Sequence, residues 1–287
     1  MNGPASLRLA DGRLHLQHGP IDCIIEAWGE PGEVAAAYAQ VTGRFDDILP
    51  ELVRELYVLR QPVGAAYPLV RGPVARRMIA AAWPHRQVFI TPMAAVAGAV
   101  ADELLAALVL GRNLAKAYVN DGGDIALHLN WFTEFDVGMA SDSLIPALVG
   151  GLKVSGCDPA RGVATSGWRG RSQSLGIADS ITVLADSAAD ADAAATLIAN
   201  AVTVDHPAIR RLPASSVKEE SDLGELPVTV EVGALPQEAI AFALDSGQEF
   251  ASSLYRRGLI RAAYLCLQGD WRALPSVAAP RSEALQC

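Results

Sequence analysis

Charge is scarce in this chain. Only 19% of its 287 residues are Asp, Glu, Lys or Arg, while 51% are hydrophobic. Such a composition excludes intrinsic disorder, which combines few apolar groups with many charges. Lys and Arg are few and scattered and the formal net charge is −9, so the electrostatic footprint of a nucleic-acid or anionic-membrane binder is missing. A small-molecule ligand is the expected partner, and a phosphate on it would need a local pocket of donors. Cysteine is scarce too. Cys23, Cys157, Cys266 and Cys287 form no CxxC pattern; they read as buried thiols of a reducing cytoplasm, not as a disulfide or zinc framework. The first residues, MNGPASLRLADGRLHL, show neither the apolar core of a secretion signal nor a lipidation cysteine, so the expected location is cytoplasmic.

Long apolar runs are lacking as well. A membrane span wants about 20 uninterrupted apolar residues. The longest window, 88–110, is broken by Pro92, Gly98, Asp102 and Glu103 and reads as a strand, Gln87–Thr91, followed by a buried helix. Familiar catalytic signatures are missing: HExxH, GxSxG, a GxGxxG after a strand, and a Walker A sequence. His15, His18, His85, His128 and His206 have no ligand spacing and read as surface or structural residues.

What is present is a pattern of strands and helices. LRLADGRLHLQ alternates around Asp11-Gly12, a hairpin signal, and IDCIIEAWG adds a third strand. From Pro31 to Arg60 apolar residues recur at helical spacing, as one helix or two broken near Gly43 and Pro50. A short helix starts at Pro73. AKAYVNDGGDIALHL reads as strand, tight turn and strand, the turn supplied by Gly122-Gly123. FDVGMA, GGLKVS, GVATSG and SITVLA read as strands, Ala188–Val202 as a helix, and residues 210–225 as a polar linker. VTVEVG, a helix from Pro236 to about Arg257, and IRAAYLCLQ follow. This order predicts an α+β fold with a mainly antiparallel sheet backed by helices. It covers residues 1–275 as a single domain or as two interleaved halves, about 1–150 and 151–275, with a disordered tail over 276–287. Asp102 and Asp192, each on an apolar helix, suggest an internal duplication.

Four segments stand out chemically. In ADADAAATLIANA, Asp192 and Thr196 lie four apart and share a helix face. Such a pair suits a hard cation such as Mg2+ bridging to a ligand phosphate; it equally suits a carboxylate on the helix dipole and a Thr bonded back to a carbonyl. In GVATSGWRGRSQSLGIAD, Thr165, Ser166, Ser172 and Ser174 supply hydroxyls, and Gly167, Gly170 and Gly176 let backbone amides approach an anionic ligand. Arg169 and Arg171 favour that reading, while turn formation is the alternative. Asp124 follows the Gly122-Gly123 corner. Gly98, on an apolar helix, signals close approach by a second backbone or a ligand.

In order, AGAVAD (Ala97–Asp102), NDGGDI (Asn120–Ile125), ATSG (Ala164–Gly167) and ADAAAT (Ala191–Thr196) resemble the KGYAVD, GGD, ATSG and ADALAT segments of the ApbE superfamily. Its characterised members are FAD:protein FMN transferases. The resemblance spans about 91–202 and implies a T-fold-like α+β domain and a site for FAD or FMN. It assigns Mg2+ to Asp192 and Thr196. It implies that Gly122, Gly123 and Asp124 lie near the nucleotide and Thr165 and Ser166 near the flavin or pyrophosphate. Gly98, Gly167, Ser172 and Ser174 join the candidate cofactor site on the reading of their own segments, and Asp179 or Asp124 is the candidate to orient a hydroxyl nucleophile. Two departures matter. The lysine of KGYAVD is Ala97, and the HIIDPRTG segment is replaced by SLGIADSIT, which keeps only Asp179. The chain resembles a cytoplasmic branch of the superfamily. FMN transfer to a hydroxyl, flavin or pterin binding without chemistry, and a step in cofactor biosynthesis all remain open on these residues. The apolar helices are compatible with a homodimer.

Overall fold

The computed structural model describes residues 3–140 and 148–275; the expected tail over 276–287 falls outside them. Strands β1 (Ala5–Arg8), β2 (Leu14–His18) and β3 (Ile21–Gly29) open the chain. Gly12 adopts φ +89°, and Asp11 fixes the first turn by accepting the Arg13 amide at 3.1 Å. Helix α1 (Pro31–Leu59) is continuous. Its start is capped by Glu30, whose carboxylate accepts the Gly32 amide at 2.8 Å. Pro50 does not break it because Pro50 and Asp46, the residue four back, both lie on the exposed face; the carbonyl left without an N–H partner there can turn to water.

Helix α2 (Pro73–Ala82), 3-10 turns at Trp83–His85 and Pro92–Ala95, and α3 (Val96–Val109) follow. The strand expected over Gln87–Thr91 does not form. The Val88 amide closes a turn on the His85 carbonyl at 3.0 Å, and Pro92 starts the next 3-10 turn. Between those two constraints too few residues remain to join a ladder. Ile90 accepts the Val63 amide at 2.8 Å. Among the described residues one segment, Pro92–Val109, is long and apolar enough to cross a membrane. In the fold its Gly98, Ala99, Val100, Ala101, Leu104 and Leu108 are buried.

Then come β4 (Leu114–Asp121), β5 (Asp124–Leu129), β6 (Glu134–Ala140), β7 (Leu148–Ser155), β8 (Gly162–Ser166), β9 (Ser180–Ala185) and α4 (Ala188–Ala201). The chain continues through β10 (Ile209–Pro213), the single turn α5 (Ala214–Val217), β11 (Pro227–Val232), α6 (Gln237–Arg256), β12 (Ala262–Leu267) and β13 (Asp270–Leu274). The expected polar linker over 210–225 is thus partly ordered: β10 pairs with β11, and Arg210 faces Glu231 in register with Nε to carboxylate at 3.0 Å. Opposite charges across a ladder stabilise a strand whose polar residues hide it from hydropathy patterns.

The chain divides into two compact units, each built from interleaved segments. Unit 1 comprises Met1–Glu134, Ser155–Ala164 and Ala185–Ala193; unit 2 comprises Phe135–Val154, Thr165–Leu184 and Ala194–Cys287. In unit 1 the strand order is β1-β2-β3-β4-β5-β8, and in unit 2 it is β8-β9-β12-β13. Every pairing of defined register is antiparallel. Alternation puts Leu14, Leu16, Ile21, Cys23, Ile25, Ala117 and Val119 inside unit 1, where α1 and α3 pack over β2 to β5. In unit 2, β9 is buried at all six positions, the mark of a strand covered on both faces, and α6 packs on β12 and β13.

Candidate functional site

In unit 1 the site is built on two helix starts. The first amides of an α-helix lack intrahelical partners, and a carboxylate placed there gains from both the hydrogen bonds and the helix dipole. Asp102 of α3 does this for α4: its Oδ1 accepts the Ala188 amide at 3.0 Å and its Oδ2 the Ala189 amide at 2.9 Å. Asp192 of α4 returns the bond, with Oδ2 accepting the Gly98 amide of α3 at 3.1 Å; the Ala97 amide also points to it. Ser187 adds a local cap, its Oγ accepting the Asp190 amide at 3.1 Å and donating to Asp190 Oδ2 at 2.6 Å. Gly98 is required by this closeness: a Cβ there would sit 2.2 Å from the Ala188 carbonyl oxygen.

Asp121 ends β4 on its inward register, after Ala117 and Val119, and is buried. One of its oxygens accepts the Asp22 amide at 3.3 Å. Burial pushes the Asp192 carboxyl up to about 7, and the negative charges of Asp121 and Asp102 add to the shift; the Gly98 and Ala97 amides oppose it. Asp102 is also held above the ordinary carboxylate range by burial, against the pull of its two amides. Asp121 was not singled out in the sequence. The signal was there, a carboxylate in phase with the buried residues of an alternating strand.

The turn after it follows from its residues. Asp121 and Asp124 are register partners, and Gly122 (φ +64°) and Gly123 (φ +113°) supply the positive dihedrals of a two-residue hairpin. Asn120 Oδ1 accepts the Gly123 amide at 2.8 Å. Asp124 is half-buried at the head of β5. Thr196 lies one helical turn beyond Asp192 on α4, half-buried; among the described residues its hydroxyl has no hydrogen-bond partner.

In unit 2, Thr165 on β8 and Thr182 on β9 bring their hydroxyls within 3.1 Å, and Ser166 ends the strand half-exposed. Gly167 is needed because a Cβ would lie 2.3 Å from the Asp179 carbonyl oxygen. The Asp179 carboxylate is heavily engaged. Oδ1 accepts Trp168 Nε1 at 3.3 Å with Arg169 Nε at 3.8 Å, and Oδ2 accepts the Gln268 amide at 2.6 Å. Gln268, with φ +48°, is the non-glycine residue at the β12–β13 turn. Its side chain accepts the Leu235 amide at 3.1 Å and donates to the Gly233 carbonyl at 2.8 Å. Sequence reasoning did not single it out, since a Gln before a Gly carries no turn signal of its own. Ser174 is buried, donating to Asn200 Oδ1 at 3.3 Å and accepting the Gly176 amide at 3.2 Å, whereas Ser172 is exposed. Among the described residues no group of three or more His, Cys, Asp or Glu is arranged to hold a metal. Cys23 and Cys266 are buried as expected, but Cys157 is exposed. It sits in a surface turn closed by Asp158, whose Oδ2 accepts the Ser155 amide at 2.7 Å.

The chain is similar to UPF0280 proteins, whose names state no reaction. It is 40% identical over 150 residues to that of Methanothermobacter thermautotrophicus, covering 50% of this chain and 56% of the relative. It is 46% identical over 116 residues to that of Methanococcus vannielii, covering 39% and 45%. The chain thus spans about half the length of the curated relatives it matches. Its fold is similar to that of the flavin transferase ApbE from Vibrio cholerae, with TM-score 0.50, 11% identity, and coverage of 94% of this chain and 97% of that one. The profile of the family described as AbpE bacteria matches residues 6–273, and the chain belongs to that family, a branch of the ApbE superfamily.

Proposed function

We propose that the chain binds FAD, FMN or a related phosphorylated nucleotide together with Mg2+, and transfers FMN from FAD to a hydroxyl acceptor. The observation that carries this reading is the state of Asp192. It is a desolvated carboxylate whose upward shift is reinforced by the negative charges of Asp121 and Asp102. A divalent cation would relieve that repulsion, and the donors fit Mg2+. This ion commonly takes one or two carboxylates and completes its shell with water and substrate phosphates, not with an all-protein cage. Asp192 and the unpartnered hydroxyl of Thr196 would hold it. Bound there, Mg2+ would polarise a phosphate oxygen and stabilise charge developing on it.

In the transfer, the pyrophosphate P–O bond of FAD breaks, the acceptor oxygen forms the new phosphoester, AMP leaves, and the acceptor proton passes to a carboxylate. The candidates for that carboxylate are Asp179 and, alternatively, Asp124. In unit 1 the glycines of the Gly122-Gly123 turn and Gly98 leave backbone accessible to a nucleotide; in unit 2, Thr165, Ser166, Gly167, Ser172 and Ser174 are the candidate donors to a phosphorylated ligand. The test is incubation with FAD, Mg2+ and a Ser- or Thr-containing peptide, with AMP quantified. Release that disappears in Asp192→Ala supports transfer. No AMP at any pH overturns it.

One observation favours a second reading, binding of a flavin or pterin without covalent chemistry. Both Asp179 oxygens are already occupied by Trp168 and the Gln268 amide, which suits a structural carboxylate better than a base. Titration with FAD, FMN and ATP, with and without Mg2+, separates the two: metal-independent binding with no turnover belongs to the second.

A further inference from the structure

Basic residues are few in the whole chain, yet six arginines fall between Arg54 and Arg86, against a single carboxylate, Glu55. This stretch belongs to unit 1. The stretch and its immediate flanks also carry much of the exposed apolar surface: Val53 and Tyr57 on α1, Tyr67 and Leu69 on the loop that follows, and Val88 and Phe89 after the 3-10 turn. Leu69 is 91% exposed and Tyr57 81%, so neither contributes to the core.

The structure joins these pieces into one face. Arg54 of α1 and Arg71 and Pro73 at the start of α2 line a single depression of about 500 Å³. The Glu55 carboxylate ties the loop to α1, accepting the Arg71 and Gly72 amides at 2.6 and 2.9 Å. Val63 bonds to Ile90, bringing the loop against the segment of Val88 and Phe89. Tyr67 packs on Trp83 with centroids 5.0 Å apart, and the Arg86 guanidinium lies 4.5 Å from the same ring. Arg54, Arg71, Arg76 and Arg86 are exposed, and among the described residues no carboxylate pairs with any of them.

We infer that this face of α1, α2 and their connecting loop docks an acidic protein segment that carries apolar side chains. Arginine and aromatic residues mixed with aliphatic ones are the composition of interface cores, and four guanidinium groups without a carboxylate partner among the described residues, in a chain of net charge −9, select a negative partner. A nucleic-acid backbone fits worse, because Glu51 and Glu55 line the depression beside Arg54 and Arg71 and interrupt any continuous basic track. A second copy joined by a two-fold axis at this face fits worse as well, since it would set arginines against arginines.

The test uses the full chain and fluorescence anisotropy of labelled probes. One is a synthetic peptide of Glu interspersed with Leu and Phe; one replaces Glu by Gln; one replaces Leu and Phe by Ala. Phosphatidylserine vesicles and a single-stranded oligonucleotide serve as alternative polyanions. The acidic, apolar peptide should bind best and weaken with salt. Affinity should fall about tenfold or more in the pair Arg54→Glu/Arg71→Glu and likewise in Tyr57→Ser/Leu69→Ser. All four side chains are exposed, and unchanged thermal unfolding would show that each variant folds. The inference is overturned if the peptide fails to bind or if both paired variants bind it normally. It is also overturned if the apolar-free peptide, the vesicles or the oligonucleotide bind as tightly.

Discussion

Asp102 and Asp192 cap each other's helices: the carboxylate of α3 receives the first amides of α4, and the carboxylate of α4 receives those of α3. The two bonds across Asp102 are 3.0 and 2.9 Å and the one from Gly98 to Asp192 is 3.1 Å. Each residue is therefore structural for its partner helix, and Asp192 is in addition the carboxylate on which the functional proposal rests.

Asp102→Ala removes two charge-assisted bonds and leaves the Ala188 and Ala189 amides without that partner. A loss of about 1–3 kcal/mol of stability is expected, read by urea unfolding. Asp102→Asn, which keeps one acceptor oxygen, should lose less. Equal stability of Asp102→Ala and the parent chain would contradict the reciprocal cap.

The Asp192 carboxyl rises from its usual 3.8 to about 7 on folding. Between those values the folded chain holds more protons than the unfolded one, so its contribution to stability is present below the lower value and lost as pH rises through the upper. The thermal midpoint of the parent chain should therefore fall more steeply from about pH 4 to pH 7 than that of Asp192→Asn. Mg2+ should raise the midpoint of the parent chain at the alkaline end and have little effect at the acid end, where the carboxyl is protonated. A Mg2+ effect that is equal in Asp192→Asn would place the ion elsewhere.

Gly98→Ala puts a methyl group 2.2 Å from the Ala188 carbonyl oxygen. Backbone on both sides must move, and destabilisation of about 3 kcal/mol is expected from differential unfolding. Because the same shift lengthens the Gly98–Asp192 bond, the variant should also weaken any Mg2+-dependent stabilisation.

Asp179→Ala separates a base from a brace. As a brace it holds the Gln268 amide in a turn where a non-glycine residue has positive φ, a conformation that costs an L-residue roughly 1–2 kcal/mol. The variant should then exchange the Gln268 amide proton faster and unfold at lower urea, with Asp179→Asn in between. A variant with parental stability and exchange but no AMP release would instead make Asp179 the base.

Much of this architecture was legible because its causes are local. Asp11-Gly12 and Gly122-Gly123 dictate hairpins by their dihedrals, and α1, α4 and α6 by apolar spacing. The close helix approach at Gly98 was read from a lone glycine on an apolar helix. What stayed hidden depends on distant partners. β10 is ordered by Arg210 facing Glu231, twenty-one residues away. The expected strand at Gln87–Thr91 has the right residues but no room between the turn at His85 and Pro92. Asp192 was expected to serve its own helix dipole or a metal; its bond to the start of α3 could not be read from spacing along α4. Asp121 stayed hidden because a carboxylate at the end of an alternating strand reads as the polar start of the turn, although its register is that of the buried Ala117 and Val119.

The reciprocal cap has a consequence for how this chain is assembled. Its bonds join residues 86 to 94 positions apart, so a ribosome delivers α3 well before its carboxylate partner exists. Contacts of such separation form late and slow the approach to the native state. They are also tolerant of evolution: closing a flexible loop costs only about 0.6 kcal/mol more for each doubling of its length. Among the residues between the two helix starts, only the turns that join β4 to β9 can therefore change length cheaply; the strands, fixed by their ladders, cannot.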